Sequence, residues 1–280
     1  RYAKRTAESS DAGIYDDSFV PEFRALTDMA HAHGTAIVSQ IVYGGSATKL
    51  QPPSRRILGP SAVANPKTGI VPVEATVADL HELAQAFADA AARAQTAGFD
   101  GVELHAAHGY LLSQFLSPLL NRRRDEYGGA LRNRARFLVE VVDAVRLRVG
   151  ATFPLIVKLN SSDGVEGGLT EDDSIEAAKL LAAHGASAIE VSGNWRNCRV
   201  RDFDGEPFFA AYAQPACPRD RRSRHSDGRQ SQFRSDGSPC GGKRGSHCGI
   251  RPVPSAYLRT ATGATLAGRS AGEAPLRFVR

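Results

Sequence analysis

Residues 98–137 read GFDGVELHAAHGYLLSQFLSPLLNRRRDEYGGALRNRARF, and the fold is decided inside this stretch. A glycine precedes a strand at 99–106, where the two-residue period sends Val102 and Leu104 to one side and Gly101, Glu103 and His105 to the other. In a closed barrel such a strand turns its apolar set to the surrounding helices and its polar set inward. His108 and Tyr110 follow at once. Then come a short apolar helix carrying Leu111, Leu112, Phe115 and Leu116 and a charged loop at 121–129. Titratable groups at the carboxyl end of a strand are where parallel α/β proteins keep their chemistry.

The same grammar extends in both directions. Upstream, Phe19, Phe23, Leu26, Met29 and Ala30 recur at helical spacing and Gly34 closes the helix. A β-branched run at 35–42 is a buried strand that carries the polar Gln40. Residues 43–77 are rich in Gly, Pro and Ser without a period, so a long loop is expected, with room for a short hairpin. Thr76 and Asp79 are cap candidates for a helix that runs to Gly98. Downstream, the spacing predicts a helix over 131–150 with Phe137, Leu138, Val141, Val142, Val145 and Leu147 as core contacts. A strand at 153–160 follows, with Lys158 and Asn160 on one face. Thr170 and Asp173 then cap a helix closed by Gly185, before a strand at 186–191. Alternation of this kind implies parallel strands joined by right-handed crossovers. Polar inward faces favour a (β/α)8 TIM barrel over an open doubly wound sheet.

Composition narrows the function classes. The 280 residues hold no apolar run of the length a membrane helix needs, and the opening RYAKRTAESSDAG lacks a signal-peptide core. A soluble, cytoplasmic protein without a membrane partner is expected. The chain opens on Arg1 and its one methionine is Met29, so the native amino terminus is expected upstream. Cys198, Cys217, Cys240 and Cys248 form no CxxC pair, and no metal site is read from them. The net charge of +5 is unevenly spread: residues 1–212 hold 22 Lys+Arg against 26 Asp+Glu, and residues 213–280 hold 13 against 4.

Taken singly, the polar residues have plain readings. Gln40 could bond backbone inside the barrel, and His105 with His108 could be a structural pair or, with Glu103, a metal site. Tyr110 could be a core aromatic, and Lys158 an ion-pair partner of Glu103 or Glu190. Residues 122–126, RRRDE, would ordinarily be a solvated loop with local ion pairs.

Taken in order, they resemble a family. GIYDDSF at 13–19, Gln40, AGFDGVELHAAHGYLLSQFLSP at 97–118, NRRRDEYGG at 121–129, LRNRARF at 131–137, VKLNSSD at 157–163 and EVSG at 190–193 are similar to the Old Yellow Enzyme family of NADH:flavin oxidoreductases. The resemblance covers residues 12–212. It implies a (β/α)8 barrel holding FMN at the carboxyl ends of its strands and passing hydride from NAD(P)H to an activated alkene or related carbonyl electrophile. By the same resemblance, His105 and His108 grip the substrate carbonyl oxygen and Tyr110 protonates the α-carbon. Gln40 meets the flavin ring edge, and Lys158 stands near its N1 and O2. The family's first strand and its late Gly-rich phosphate loops have no counterpart in the sequence, so the barrel is expected to be incomplete.

Two rivals remain on residues alone: a non-catalytic product with a basic, nucleic-acid-binding tail, and a metal-assisted barrel lyase using Glu103 and the histidines. Nucleic acid is not the expected partner. Residues 1–212 are read as the partial FMN-binding barrel domain. In residues 213–280, Arg, Ser, Gly and Pro make up 35 of 68 positions, a composition that cannot bury a core. A basic arm, a disordered tail and an out-of-frame translation of a GC-rich gene all fit this segment, and the abrupt stop of the strand-helix alternation favours the last. The coding DNA beyond codon 213 tests it. One alternative frame is expected to restore alternating strands and helices with a Gly-rich loop, and finding this in neither frame would end the idea.

Overall fold

The computed structural model describes residues 13–48, 56–193 and 277–279. The remainder of the 213–280 segment, the four cysteines and the ends of the chain lie outside the described residues.

A 3-10 turn (Asp17–Phe19) opens onto α1 (Val20–Ala32) and β1 (Ile37–Ile41). The loop that follows carries two short strands, β2 (Leu58–Gly59) and β3 (Val73–Glu74). Then α2 (Val77–Thr96), β4 (Gly101–Ala106), α3 (Leu111–Leu116) and α4 (Leu131–Val149) follow in turn. The series closes with β5 (Leu155–Asn160), α5 (Glu171–Ala183) and β6 (Ala188–Ser192), and a strand β7 (Arg277–Val279) pairs with β1.

The main sheet has the order β6-β5-β4-β1-β7 and is parallel throughout. From β1 to β6 each new long strand is added beside the previous one, without the reversal of order that marks a doubly wound sheet. This is the winding of a barrel wall. Helices α2, α4 and α5 pack side by side on one face of it. Leu104 and Val102 of β4 and Leu155 and Val157 of β5 are buried there with Leu83 and Phe87 of α2 and Phe137, Val141 and Val145 of α4. No described helix is long and apolar enough to cross a membrane.

The caps fall where the sequence puts them. Thr76 with Asp79 and Thr170 with Asp173 both close reciprocal capping boxes, which satisfy orphan N–H groups at the starts of α2 and α5. At the other end of α2, Gly98 takes φ +89. A Cβ there would stand 2.9 Å from the Thr27 hydroxyl, which donates to the Ala97 carbonyl at 2.6 Å. The same junction is tied to the neighbouring strand β1 by Asp100, whose carboxylate accepts from the Ile37 N–H at 2.8 Å.

Four expectations need correction. Leu147 is 89% exposed, because it lies about 200° around α4 from the buried Val145. Met29 is 61% exposed, while Phe23, Leu26 and Ala30 of the same helix pack on the core. The strands within the long loop pair in parallel, Leu58 with Val73 and Gly59 with Glu74, and so form no hairpin. Finally, Arg123 is buried: Nη1 donates to the carbonyls of Pro60 at 3.2 Å and Ala75 at 2.6 Å, and Nε donates to Asp125 at 2.9 Å. It straps the long loop to the loop before α4, a role that a run of five charges conceals.

Gly98→Ala is expected to lower stability by about 1–3 kcal/mol, from left-handed backbone strain and the approach of Thr27. Urea unfolding of the full chain measures it, and an unchanged midpoint would contradict the packing described.

Candidate active site

Residues paired in register on parallel strands face the same way, so the ladder sorts the site. Gln40 stands opposite Glu103, His105 opposite Lys158, Lys158 opposite Glu190, and Asn160 opposite Ser192. All seven therefore share the face turned away from α2 and α4. The polar set of the stretch at 98–137 is thus extended by one or two residues from each neighbouring strand.

His105 ends this set on β4. Its ring is buried and edge-on to both His108, centroids 4.9 Å apart at 75°, and Tyr110, 4.7 Å apart at 81°. The Ala107 N–H donates to Nδ1 at 3.2 Å, so neutral His105 carries its hydrogen on Nε2. Burial first, then the charges of His108 and Lys158, pull its pKa down to about 3. At neutral pH it is an uncharged donor.

His108 sits in the left-handed region at φ +60, rare for a residue with a side chain and worth of order 1–3 kcal/mol in strain. Two groups hold it there. Its N–H donates to Asn160 Oδ1 at 3.0 Å, and its Nε2 lies 2.5 Å from Ser192 Oγ. The turn is closed further by α3: Gly109 N–H donates to Ser113 Oγ at 2.9 Å, and Gln114 Nε2 donates to the Gly109 carbonyl at 2.7 Å. Tyr110 caps α3 from an extended conformation, half-buried, with no hydrogen bond from its hydroxyl to any described residue. His105, His108 and Tyr110 are thus brought together as one cluster.

Below them lies an ionisable layer. Gln40 Nε2 donates to Glu103 Oε2, and Lys158 Nζ pairs with Glu190 Oε1. Glu103 is 1% exposed, and its other oxygen, Oε1, receives no hydrogen bond from any described residue. Burial first, then the neighbouring Glu190 carboxylate, push its pKa up to about 8, with Gln40 and Lys158 opposing. Lys158 takes the ion-pair role with Glu190 rather than with Glu103.

Among the described residues no group of three or more His, Cys, Asp or Glu is arranged to hold a metal ion. Glu103 Oε2 and His105 Nδ1 accept from Gln40 and Ala107.

Four positioning side chains escaped the sequence reading. Gln114 and Ser113 are polar interruptions in the apolar LLSQFL, a signal that was there to be used. Asn160 was placed on the right face without a role. Ser192 was missed because the last strand ends one residue beyond the predicted limit.

Parallel strands wound in one direction, with histidine, tyrosine and lysine gathered at their carboxyl halves, define the class of (β/α)8-barrel proteins with a ligand site at the strand ends. The chain belongs to the NADH:flavin oxidoreductase / NADH oxidase family, which it matches over residues 3–196. It is 43% identical over 182 residues to an NADPH dehydrogenase of Geobacillus thermodenitrificans, covering 65% of this chain and 52% of that protein. Among solved structures it is similar to a 2-naphthoyl-CoA reductase bound to 2-naphthoyl-CoA, with TM-score 0.64 and 29% identity over 74% of this chain and 34% of that one. It is also similar to an old yellow enzyme homologue from Zymomonas mobilis, with TM-score 0.55 and 30% identity over 63% and 53% of the two chains. The chain spans about half, or less, of the length of the curated relatives it matches.

His105 is expected to keep the neutral Nε2–H tautomer from pH 8 down to about pH 5. Nitrogen-15 NMR of the ring reads this directly. Titration near pH 6.5, the ordinary histidine value, would contradict the buried geometry.

Proposed function

We propose that the chain carries the substrate-activating and ring-facing part of an FMN-dependent oxidoreductase that reduces activated alkenes, of enone or conjugated thioester type, with NAD(P)H in the cytoplasm. The observation that carries the reading is the cluster in which the His105 ring lies edge-on to both His108 and Tyr110, with His105 holding an uncharged Nε2–H donor. FMN, when bound, supplies the hydride.

Addition of hydride to the β-carbon of a conjugated carbonyl leaves an enolate, and the new negative charge falls on the carbonyl oxygen. Preformed donors aimed at that oxygen lower the barrier because they need no reorganisation as the charge develops. His105 Nε2–H is such a donor, and it stays neutral, so it stabilises charge without giving up its proton. His108 is the second donor. Ser192 and Asn160 fix its ring and backbone, and the ring must exchange its contact with Ser192 for one with the substrate. Tyr110 then gives the hydroxyl proton to the α-carbon, where a phenol is acidic enough for an enolate carbon.

The residues below fit a flavin ring. Lys158 has three N–H donors and Glu190 takes one, leaving the others for a ring carbonyl or an anionic ring. Gln40 likewise keeps an N–H and its carbonyl oxygen beyond the bond to Glu103. The neighbour whose structure contains 2-naphthoyl-CoA, a conjugated thioester, supports a carbonyl conjugated to a carbon-carbon double bond as the substrate feature. The basic 213–280 segment plays no part in this reading.

Full-length protein incubated with FMN, NADPH and cyclohex-2-enone is expected to consume NADPH with formation of cyclohexanone. Tyr110→Phe is expected to lower turnover by about 10²–10⁴ while enone binding is retained. A colourless protein without enone-dependent NADPH oxidation would overturn the proposal.

A further inference from the structure

Two carboxylates beside Lys158, Glu103 buried and Glu190 partly exposed, pose a problem of charge. Lys158 from β5 stands opposite Glu190 on β6 and, on β4, opposite His105, two residues along the strand from Glu103; its ammonium is given to Glu190. The other groups facing Glu103 are neutral: the Gln40 amide from β1 and, on its own strand, His105. An ionised Glu103 would then be a second negative charge in a buried layer with one cation, which costs several kcal/mol unless it is compensated.

The hydrogen bonds show how the charge is removed. Gln40 Nε2 donates to Oε2 of Glu103, so Oε2 acts as an acceptor and a proton on it would leave that donor unmet. Oε1 is buried and receives no hydrogen bond from any described residue, and the neighbouring carboxylate is Glu190. A proton on Oε1 completes a run of consistent polarity. Gln40 donates to Glu103, Glu103 donates to Glu190, and Lys158 donates to Glu190 from the far side. Both oxygens of Glu103 then have a partner, and Glu103, Glu190 and Lys158 together carry no net charge.

We propose that Glu103 works as a neutral carboxylic acid sharing its proton with Glu190, and that in this form it is the positioning residue that fixes the Gln40 amide. The second half rests on the flavin reading of Gln40; the first does not. The fixed orientation commits one Nε2 hydrogen of Gln40 to Glu103 and offers the rest of the amide to a ring edge. It also leaves Lys158 and Glu190 as the charged members of the layer among the described residues, so an anionic ligand arriving there meets no unpaired carboxylate from them. Burial and the Glu190 neighbour, which raise the Glu103 pKa, act in the same direction.

Infrared spectra of the full chain without FMN test the proton. At pH 6 the wild type is expected to show a protonated-carboxyl stretch that Glu103→Gln lacks, and that fades in the wild type as pH rises through about 8. Identical spectra for the two proteins at pH 6 would overturn the proposal. If Glu103→Gln does not fold, Glu190→Gln is read instead. The band is then expected to ionise at lower pH, because its like-charged neighbour is gone, and an unmoved titration would overturn it. A stability profile gives a further sign. A carboxyl raised in the folded state stabilises below its unfolded pKa and loses that contribution as pH climbs through its folded one, so wild type is expected to weaken toward pH 9 relative to Glu103→Gln.

FMN affinity and exchange protection of the Gln40 side-chain amide read the positioning. Glu103→Gln, which keeps a neutral acceptor and donor, is expected to hold both within about threefold of wild type. Glu103→Leu is expected to lose about tenfold or more in each, equivalent to ~1.4 kcal/mol. Equal values for the two variants would overturn the positioning role. A chain that takes up no FMN would overturn the proposed function together with the ligand-facing half of this role, while the infrared band still decides the shared proton.

Discussion

Parallel strands pair without inverting their faces, so once β4 is in register with β1 and β5, the side of the sheet on which Glu103 and His105 emerge is fixed for Gln40 and Lys158 as well. A slip of one residue on any strand would send its polar member into the helices and an apolar one into the site. The hydrophobic layer forbids that slip. Val102, Leu104, Val157 and Ile189 are buried against α2, α4 and α5, and each methylene exposed by a slip costs roughly 0.8 kcal/mol. The packing of the outer face thereby positions the chemistry of the inner one.

Within the inner face, burial sets protonation and protonation sets role. The same low-dielectric surroundings push His105 toward its neutral base and Glu103 toward its neutral acid. Lys158 pairs with Glu190. An uncharged donor at the strand end and a compensated charge below it form an arrangement that can meet a developing oxyanion at one level and a polar ring at the next. The strain in His108 belongs to this arrangement. Asn160 and Ser192, on the two strands beyond β4, hold its backbone and ring in a conformation that the chain alone disfavours.

Much of this was legible from the residues. The alternation at 99–106, the caps at Thr76 and Thr170, and the ordered motifs were enough for the fold and the family. What escaped depended on contacts distant in sequence. Arg123 looks like one arginine of three until the loop carrying Pro60 and Ala75 is laid over it. Lys158 has two possible acidic partners by spacing, and the register selects Glu190, which stands opposite it on β6, whereas Glu103 on β4 stands opposite Ile156. Leu147 fits an apolar count for α4, yet the sheet lies on the opposite side of that helix. The proton on Glu103 was least visible, because it follows from three neighbours on three different strands.

The proposed chemistry divides the labour: hydride would reach the β-carbon of a conjugated carbonyl from the cofactor side, and the α-carbon would take its hydrogen from Tyr110, which exchanges with solvent. NMR of the cyclohexanone formed by the full chain with FMN and NADPH deuterated at the transferring position, in ordinary water, tests this most directly. Deuterium is expected at the β-carbon and solvent hydrogen at the α-carbon. Deuterium at the α-carbon, or no reduction of the enone at all, would contradict it.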